Sequence, residues 1–261
     1  MSATQHPYFQ QRFAALAHRG GARLAANEGR ENTLAAFQNA VALGYTHIET
    51  DVHVTADGHL VAFHDTCLDR VSDGSGRIAD LPLDAVKEVS IGGEKVPTLD
   101  EVLEALPQCR INIDIKAPGA ERPLVQTLQR HAAMERVCVG SFSEIRLNRY
   151  RVMAGTLAAT SVGPAGVLQT VAAARIGLGI APLGLVYQVP MTTHIAGREV
   201  KILTPEFVEQ AHRWGRHVHV WTIDDAPVMH RLIDWGVDGL VSDRIDVLRD
   251  VLTERGLWQT S

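Results

Sequence analysis

Cysteine is scarce in this chain. Cys67, Cys109 and Cys138 are the only three in 261 residues, an odd and widely spaced set with no Cys-x-x-Cys pair. Neither a disulfide framework nor a thiolate zinc site fits that usage, and a reducing compartment is the simple reading. Excess positive charge is also missing. Lys and Arg total 25 against 30 Asp and Glu, for a net charge of −5. With no broad basic footprint, nucleic acid is not the expected partner. Met1 to Arg12 holds no apolar run of the secretory kind, so a cytoplasmic location is expected. A membrane span needs about 20 mostly apolar residues. From Val152 to Gly197 the only Lys, Arg, Asp or Glu is Arg175, but Gly155, Gly163, Pro164, Gly166, Gly177, Gly179, Pro182, Gly184 and Pro190 break the stretch. Buried strands and helices account for it better than a span.

What is present is ordinary globular composition, 46% hydrophobic and 21% charged. Short apolar runs alternate with helical periods. Strands are expected at Phe13–Ala17, His47–Val54, Ile111–Ile115, Val137–Gly140, Leu157–Ser161, Leu183–Val189, Val218–Ile223 and Gly239–Val241. Between them, Leu34, Phe37 and Val41 mark a helix stopped by Gly44. Thr98 and Glu101 form a capping box. Thr204 caps a helix with Pro205 at its first position, and Asp225 caps another stopped by Gly236. Eight strands alternating with helices over this length predict a (β/α)8 barrel, with a doubly wound open sheet as the alternative. Residues 53–96 are too long for a simple strand-to-helix connection. They are expected to form a small insertion between strand two and its helix, on the carboxyl-terminal face. No repeat or low-complexity linker divides the chain, so residues 1–261 are expected to form a single domain.

Chemistry-bearing residues gather where these strands end. His18-Arg19-Gly20-Gly21 follows strand one, and His64-Asp65 closes an extended piece of the insertion. Glu49 and Asp51 are two apart in strand two and share a face. Asp114 and Lys116 repeat that spacing in strand three. Three carboxylates without a thiolate point to a hard divalent cation, magnesium or calcium. Arg19 and Lys116 beside it suit an anionic substrate, most simply a phosphate. Two histidines supply an acid and a base that titrate near neutrality. Together they are equipment for displacement at phosphorus.

The ordered set His18-Arg19-Gly20-Gly21, Glu31-Asn32-Thr33, Glu49-Thr50-Asp51-Val52, Thr55-Ala56-Asp57-Gly58, His64-Asp65, Leu68-Asp69-Arg70, Pro97-Thr98-Leu99, Asp114-Ile115-Lys116, Trp221-Thr222 and Ser242-Asp243-Arg244 resembles the glycerophosphodiester phosphodiesterase family. The resemblance runs from His18 to Arg244. It implies a TIM barrel with a small inserted subdomain, and hydrolysis of small-molecule glycerophosphodiesters to glycerol 3-phosphate and an alcohol. It implies catalytic roles for His18 and His64 and metal ligation by Glu49, Asp51 and Asp114. It implies phosphate binding by Arg19 and Lys116, support from Glu31 and Asn32, and an aromatic cleft wall at Trp221. The cofactor implied is one divalent cation, Mg2+ or Ca2+, with Mn2+ also admitted. Asp114 stands where the family usually has Glu, which shortens the third ligand by one methylene.

Other residues have blander readings. His217 and His219 form a His-x-His, but late in the chain, where hydrogen-bonded barrel residues are the better account. His53 shares a face with Asp51 and could reach substrate, whereas His47 lies deeper. Phe142 after strand four could line the cleft or simply pack. Gly74-Ser75-Gly76 lacks the strand–turn–helix context of a nucleotide loop. Three rival functions remain at this point: a lysophospholipase D with an apolar channel from the low-charge segment, a non-catalytic glycerophosphodiester-binding barrel, and an amidohydrolase. The sequence leaves the oligomeric state open.

Overall fold

The computed structural model describes residues 2–176, 179–195 and 197–259. Strands β1 (Ala14–Ala17), β2 (His47–Val54) and β3 (Leu60–Ala62) come first, then the short pair β4 (Ser90–Ile91) and β5 (Glu94–Lys95). They are followed by β6 (Arg110–Ile115), β7 (Val137–Gly140), β8 (Ala159–Thr160) and β9 (Val186–Val189). A hairpin of β10 (Thr192–Ile195) and β11 (Arg198–Lys201) precedes β12 (His217–Val220) and β13 (Gly239–Ser242). Helices α1 (Leu34–Ala42), α2 (Leu83–Glu88), α3 (Leu99–Ala105), α4 (Glu121–Arg130) and α5 (Glu144–Ala154) alternate with them. So do α6 (Pro164–Ile176), α7 (Pro205–Arg213), α8 (Ala226–Asp234) and α9 (Ile245–Glu254).

Parallel strands pair in the order β8-β7-β6-β2-β1-β13-β12-β9. A parallel bridge from Ser161 to Val186 joins the two ends. The result is the expected (β/α)8 barrel and not an open doubly wound sheet. Its strands are buried on both faces, as a parallel sheet wrapped by helices requires, and seven of the eight residues of β2 are buried. The outward set Ile48, Val52, Ile111, Ile113, Val139, Val218 and Leu240 packs under the helices in one contiguous core.

The helix signals act where the sequence placed them. Thr98 Oγ1 accepts from the Glu101 amide at 3.1 Å while the Thr98 amide donates to Glu101 Oε2 at 2.7 Å. Thr204 and Asp225 cap α7 and α8 through the amides of Phe207 and Val228. Several strands are shorter than expected. The fifth is only Ala159–Thr160 and the sixth begins at Val186, because Leu183 and Gly184 lie in a bend with Leu183 67% exposed. The seventh runs His217–Val220, beyond which single bonds continue from the Trp221 amide to Val189 O and from the Ile223 amide to Val241 O. The β10–β11 hairpin had no counterpart in the expected pattern.

Two additions shape the barrel ends. Between β2 and α3, β3 pairs antiparallel with the tail of β2, matching Val52 with Ala62 and Val54 with Leu60. This segment packs its own small core of Val61, Phe63, Leu68, Ile78, Val86, Ile91 and Val96. At the opposite end, Tyr8 and Phe9 from the N-terminal segment pack with Cys138, Ala159 and Val186. Among the described residues, no helix is long and apolar enough to cross a membrane.

Candidate active site

The chain leaves β1 through His18, Arg19, Gly20 and Gly21 in a tight turn. Arg19 takes a left-handed φ of 50°, and Gly20 and Gly21 take φ of 88° and 86°. A Cβ on Gly20 would sit 2.8 Å from the Ala36 Cβ, and one on Gly21 would sit 2.5 Å from Ile245. Only glycine lets this turn press against α1 and α9, and the turn carries His18 and Arg19 onto the strand ends. Asn32, just before α1, is also left-handed, with φ of 59°. Non-glycine residues held there cluster at functional sites.

His18, Arg19, Glu49, Asp51, His64, Asp114, Lys116 and Trp221 line one cavity of about 420 Å³ at the carboxyl ends of the strands. Glu31 and Asn32 do not line it; they touch residues that do. The Arg19 guanidinium meets Glu31 Oε1 at 3.0 Å and Asp51 Oδ2 at 3.3 Å. Asn32 donates from Nδ2 to Asp51 Oδ2 at 3.0 Å and accepts from Thr50 Oγ1 at 2.8 Å. Lys116 Nζ lies between two carboxylates, 3.0 Å from Asp51 Oδ1 and 2.8 Å from Asp114 Oδ2. Glu49 accepts from the Arg19 amide at 3.0 Å.

Each histidine has a carboxylate on its Nδ1. His18 Nδ1 donates to Asp243 Oδ1 at 2.8 Å, and its Nε2 stands 3.9 Å from Glu49 Oε2. His64 Nδ1 donates to Asp65 Oδ1 at 2.5 Å. Asp65 in turn accepts from Arg70, which also binds Glu31. An Nδ1–H held by a carboxylate leaves the Nε2 lone pair of the neutral ring free, the tautomer of a general base.

Burial dominates the charge balance. It pushes the Glu49 carboxyl up, Asp51 adds to the push, and the result is about 7. It pushes Asp114 up as well. For Asp51, burial is outweighed by Lys116 and then Arg19, and the net shift is downward. Burial lowers the His18 imidazole, but Glu49 and the Asp243 bond outweigh it and the net shift is upward. Asp51, beside two cations, is held ionised, whereas the positive neighbours of Glu49 and Asp114 do not offset burial.

That imbalance bears on a metal. Glu49, Asp51 and Asp114 are hard oxygen donors, and Asp114 Oδ1 is buried without a hydrogen-bond partner. The donor set therefore fits a hard divalent cation. Among the described residues no three His, Cys, Asp or Glu side chains are drawn together into a ready cage. Lys116 stands between two of the three.

Other candidates fall elsewhere. His53 is buried and donates from Nε2 to the His64 carbonyl at 3.0 Å, so it steadies the insertion and does not line the cavity. His47 and His219 are buried lower in the barrel, beside the N-terminal residues Tyr8 and Phe9 respectively. Phe142 does line the cavity, with its ring 5.6 Å from that of Trp221. Sequence reasoning gave Asp243 and Arg70 no role beyond belonging to the family pattern. Asp243 lies 225 residues from His18, and no local signal pairs them.

A parallel barrel with two carboxylate-held histidines, two cations and three carboxylates at its strand ends carries the residue types that displacement at phosphorus needs. The model of the glycerophosphoryl diester phosphodiesterase family matches residues 18–247. Probable glycerophosphodiester phosphodiesterase 2 of Mycobacterium tuberculosis is 40% identical over 231 residues, 87% of each chain. The glycerophosphodiester phosphodiesterase of Caldanaerobacter subterraneus is 32% identical over 260 residues, covering 92% of this chain and 98% of that one. A solved glycerophosphodiester phosphodiesterase from Parabacteroides distasonis superposes with a TM-score of 0.76 at 24% identity, over 94% of this chain and 99% of that one. The chain belongs to the glycerophosphoryl diester phosphodiesterase family and is an enzyme of that family. The amidohydrolase and non-catalytic readings fall away.

Proposed function

We propose that the enzyme cleaves glycerophosphodiesters to glycerol 3-phosphate and an alcohol, with His18 and His64 as its acid–base pair. The observation that carries this reading is the paired arrangement of His18 with Asp243 and His64 with Asp65, both opening on the cavity that holds Arg19 and Lys116. One histidine takes the proton of the glycerol 2-hydroxyl as its oxygen attacks phosphorus. The other protonates the departing alcohol. The resulting cyclic 1,2-phosphate is opened by water, with the two histidines exchanging roles. Arg19 and Lys116 hold the phosphoryl oxygens and offset the charge that grows in the transition state. Glu31 fixes the Arg19 guanidinium, and Asn32 fixes the Asp51 carboxylate.

Glu49, Asp51 and Asp114 would hold one divalent cation, Mg2+ or Ca2+, with Mn2+ also admitted. When bound, such an ion supplies Lewis-acid stabilisation of phosphoryl oxygens. Asp114, like Asp51, is one methylene shorter than Glu49, so Glu49 has the longest reach of the three.

A second reading, lysophospholipase D, has one specific support. The low-charge segment supplies Val162, Pro164, Val167, Leu168 and Pro190 to the same cavity. That lining suits an apolar portion of substrate. Release of glycerol 3-phosphate from glycerophosphocholine, after chelation and then with each metal restored, tests the first reading. Metal-dependent release that His18→Ala and His64→Ala both abolish is the expected result. No release with any metal or headgroup, together with turnover of micellar lysolipid, would replace it with the second.

A further inference from the structure

Phe142 follows β7 and Trp221 follows β12. In the barrel order, β8 and β9 lie between those two strands on one side, and β6, β2, β1 and β13 on the other. The two rings nonetheless touch, with centroids 5.6 Å apart at 82°, an edge-to-face pair. They therefore bridge the barrel mouth along a chord.

The chord sorts the cavity lining by chemistry. On the far side of β1, β2 and β6 stand His18, Arg19, Asp51, His64, Asp114 and Lys116. On the side of β8 and β9 and the segments after them, the lining is apolar or neutral, and none of its described residues is charged. Gly140 and Gln188 line the cavity from lower in the barrel, on β7 and β9. The two halves thus connect beneath the aromatic pair. Phe142 is 64% exposed, and its ring centroid also stands 5.7 Å from Lys116 Nζ.

We propose that Phe142 and Trp221 form a roof over the passage between the phosphate half and the apolar half, and select substrates by the uncharged, apolar alcohol portion they cover. This rests on the reading that the charged half binds the phosphoryl group. A carboxylate that would bind a cationic headgroup is missing from the described lining beyond the roof, whereas apolar carbons leaving the phosphate meet two aromatic faces.

The test uses monoalkyl phosphates from methyl to hexyl, which report binding whether or not the enzyme turns over a diester. Calorimetry on the wild type should show affinity rising about fourfold per added methylene. Phe142→Ala should cut the hexyl-to-methyl affinity ratio about tenfold, as expected for loss of one aromatic contact surface. Phe142→Leu should restore part of it. If Phe142 serves only to steady Lys116, every phosphate weakens by one common factor and the ratio stands, which overturns the proposal. A wild type with no chain-length dependence, or with no measurable binding, overturns it too. Failure of diester turnover alongside an intact chain-length effect would count against the hydrolytic reading and not against the roof.

Discussion

Arg70 and Glu31 face each other through two hydrogen bonds, Nη1 to Oε2 at 3.1 Å and Nη2 to Oε1 at 2.7 Å. One residue belongs to the insertion and the other to the loop before α1. Glu31 also holds Arg19, and Arg70 also holds Asp65 on its Nε at 2.5 Å. A continuous line of alternating charge therefore joins His64, in the insertion, to Arg19, on the barrel. Arg70 pulls the Asp65 carboxyl down to about 2, with His64 adding to the effect. Asp65 thus stays ionised and keeps its hold on the imidazole.

Arg70→Met should therefore lower kcat more than it raises KM. His64 would lose its anchored carboxylate, and misplacement of a reacting group by about 1 Å can cost on the order of 10²-fold. Arg70→Lys should recover only part of the loss, because an ammonium cannot make both bidentate contacts. Steady-state kinetics on a glycerophosphodiester checks this. A pure KM effect would show that Arg70 binds substrate instead of positioning His64.

Asp243→Asn should be the more severe change. The amide can no longer accept the His18 Nδ1–H as a charged partner, and it can donate to Nδ1 and fix the opposite tautomer. General acid–base contributions are about 10²–10⁴-fold. The loss in kcat should fall in that range while the thermal midpoint stays close to wild type, since Asp243 is partly exposed. Equal activity in Asp243→Asn would remove His18 from the acid–base pair.

Asp114 offers a test of the cation site that does not rely on turnover. Its Oδ1 is buried and unpartnered, and Lys116 takes its Oδ2. Asp114→Asn should weaken calcium or manganese binding measured by calorimetry about tenfold or more, since a hard cation favours a charged oxygen. Lys116→Met should strengthen it, because the ammonium no longer stands between Asp51 and Asp114. Chelation should lower the thermal midpoint of the wild type and restoring the ion should raise it. Unchanged ion affinity in both variants would place the cation elsewhere.

The fold was legible where the sequence pattern is strong and local. The strand His47–Val54 and the caps at Thr98, Thr204 and Asp225 fall where they were expected, because each depends on neighbours within a few residues. Leu183–Val189 was drawn too long, since an apolar run does not show where a bend puts Leu183 into solvent. Glu49, Asp51, Asp114 and Lys116 were legible from residue type and parity in their strands, and His18 and Arg19 from their place after the first, whereas His64 was legible only through the family pattern because nothing local fixes the course of residues 53–96; one cavity brings all seven together. The pairing of His18 with Asp243 was not, because it arises only when β13 closes beside β1. Phe142 stayed ambiguous for the same reason: its partner Trp221 comes from across the mouth.

His219 carries the last prediction. It sits on β12, wholly buried, with no hydrogen-bond partner for either ring nitrogen among the described residues. Burial, with His217 adding to it, pulls its pKa down to about 3. The unfolded chain titrates this group at about 6.5. Between those values the folded state keeps the ring neutral while the unfolded chain takes up a proton. Folding stability is then full above pH 6.5 and falls as pH drops towards 3, by about 1.4 kcal/mol per pH unit for this one group. Replacing the ring removes that linkage. His219→Leu should gain on the wild type by about 1.4 kcal/mol for each unit of acidification between pH 6 and pH 4, whatever its offset at pH 7. Urea unfolding of both proteins at pH 7, 6, 5 and 4 gives the comparison. The difference between the two curves isolates His219, because the other titrating groups are common to both. Parallel curves across that window would mean that the ring is already protonated, and therefore solvated or paired, in the folded enzyme.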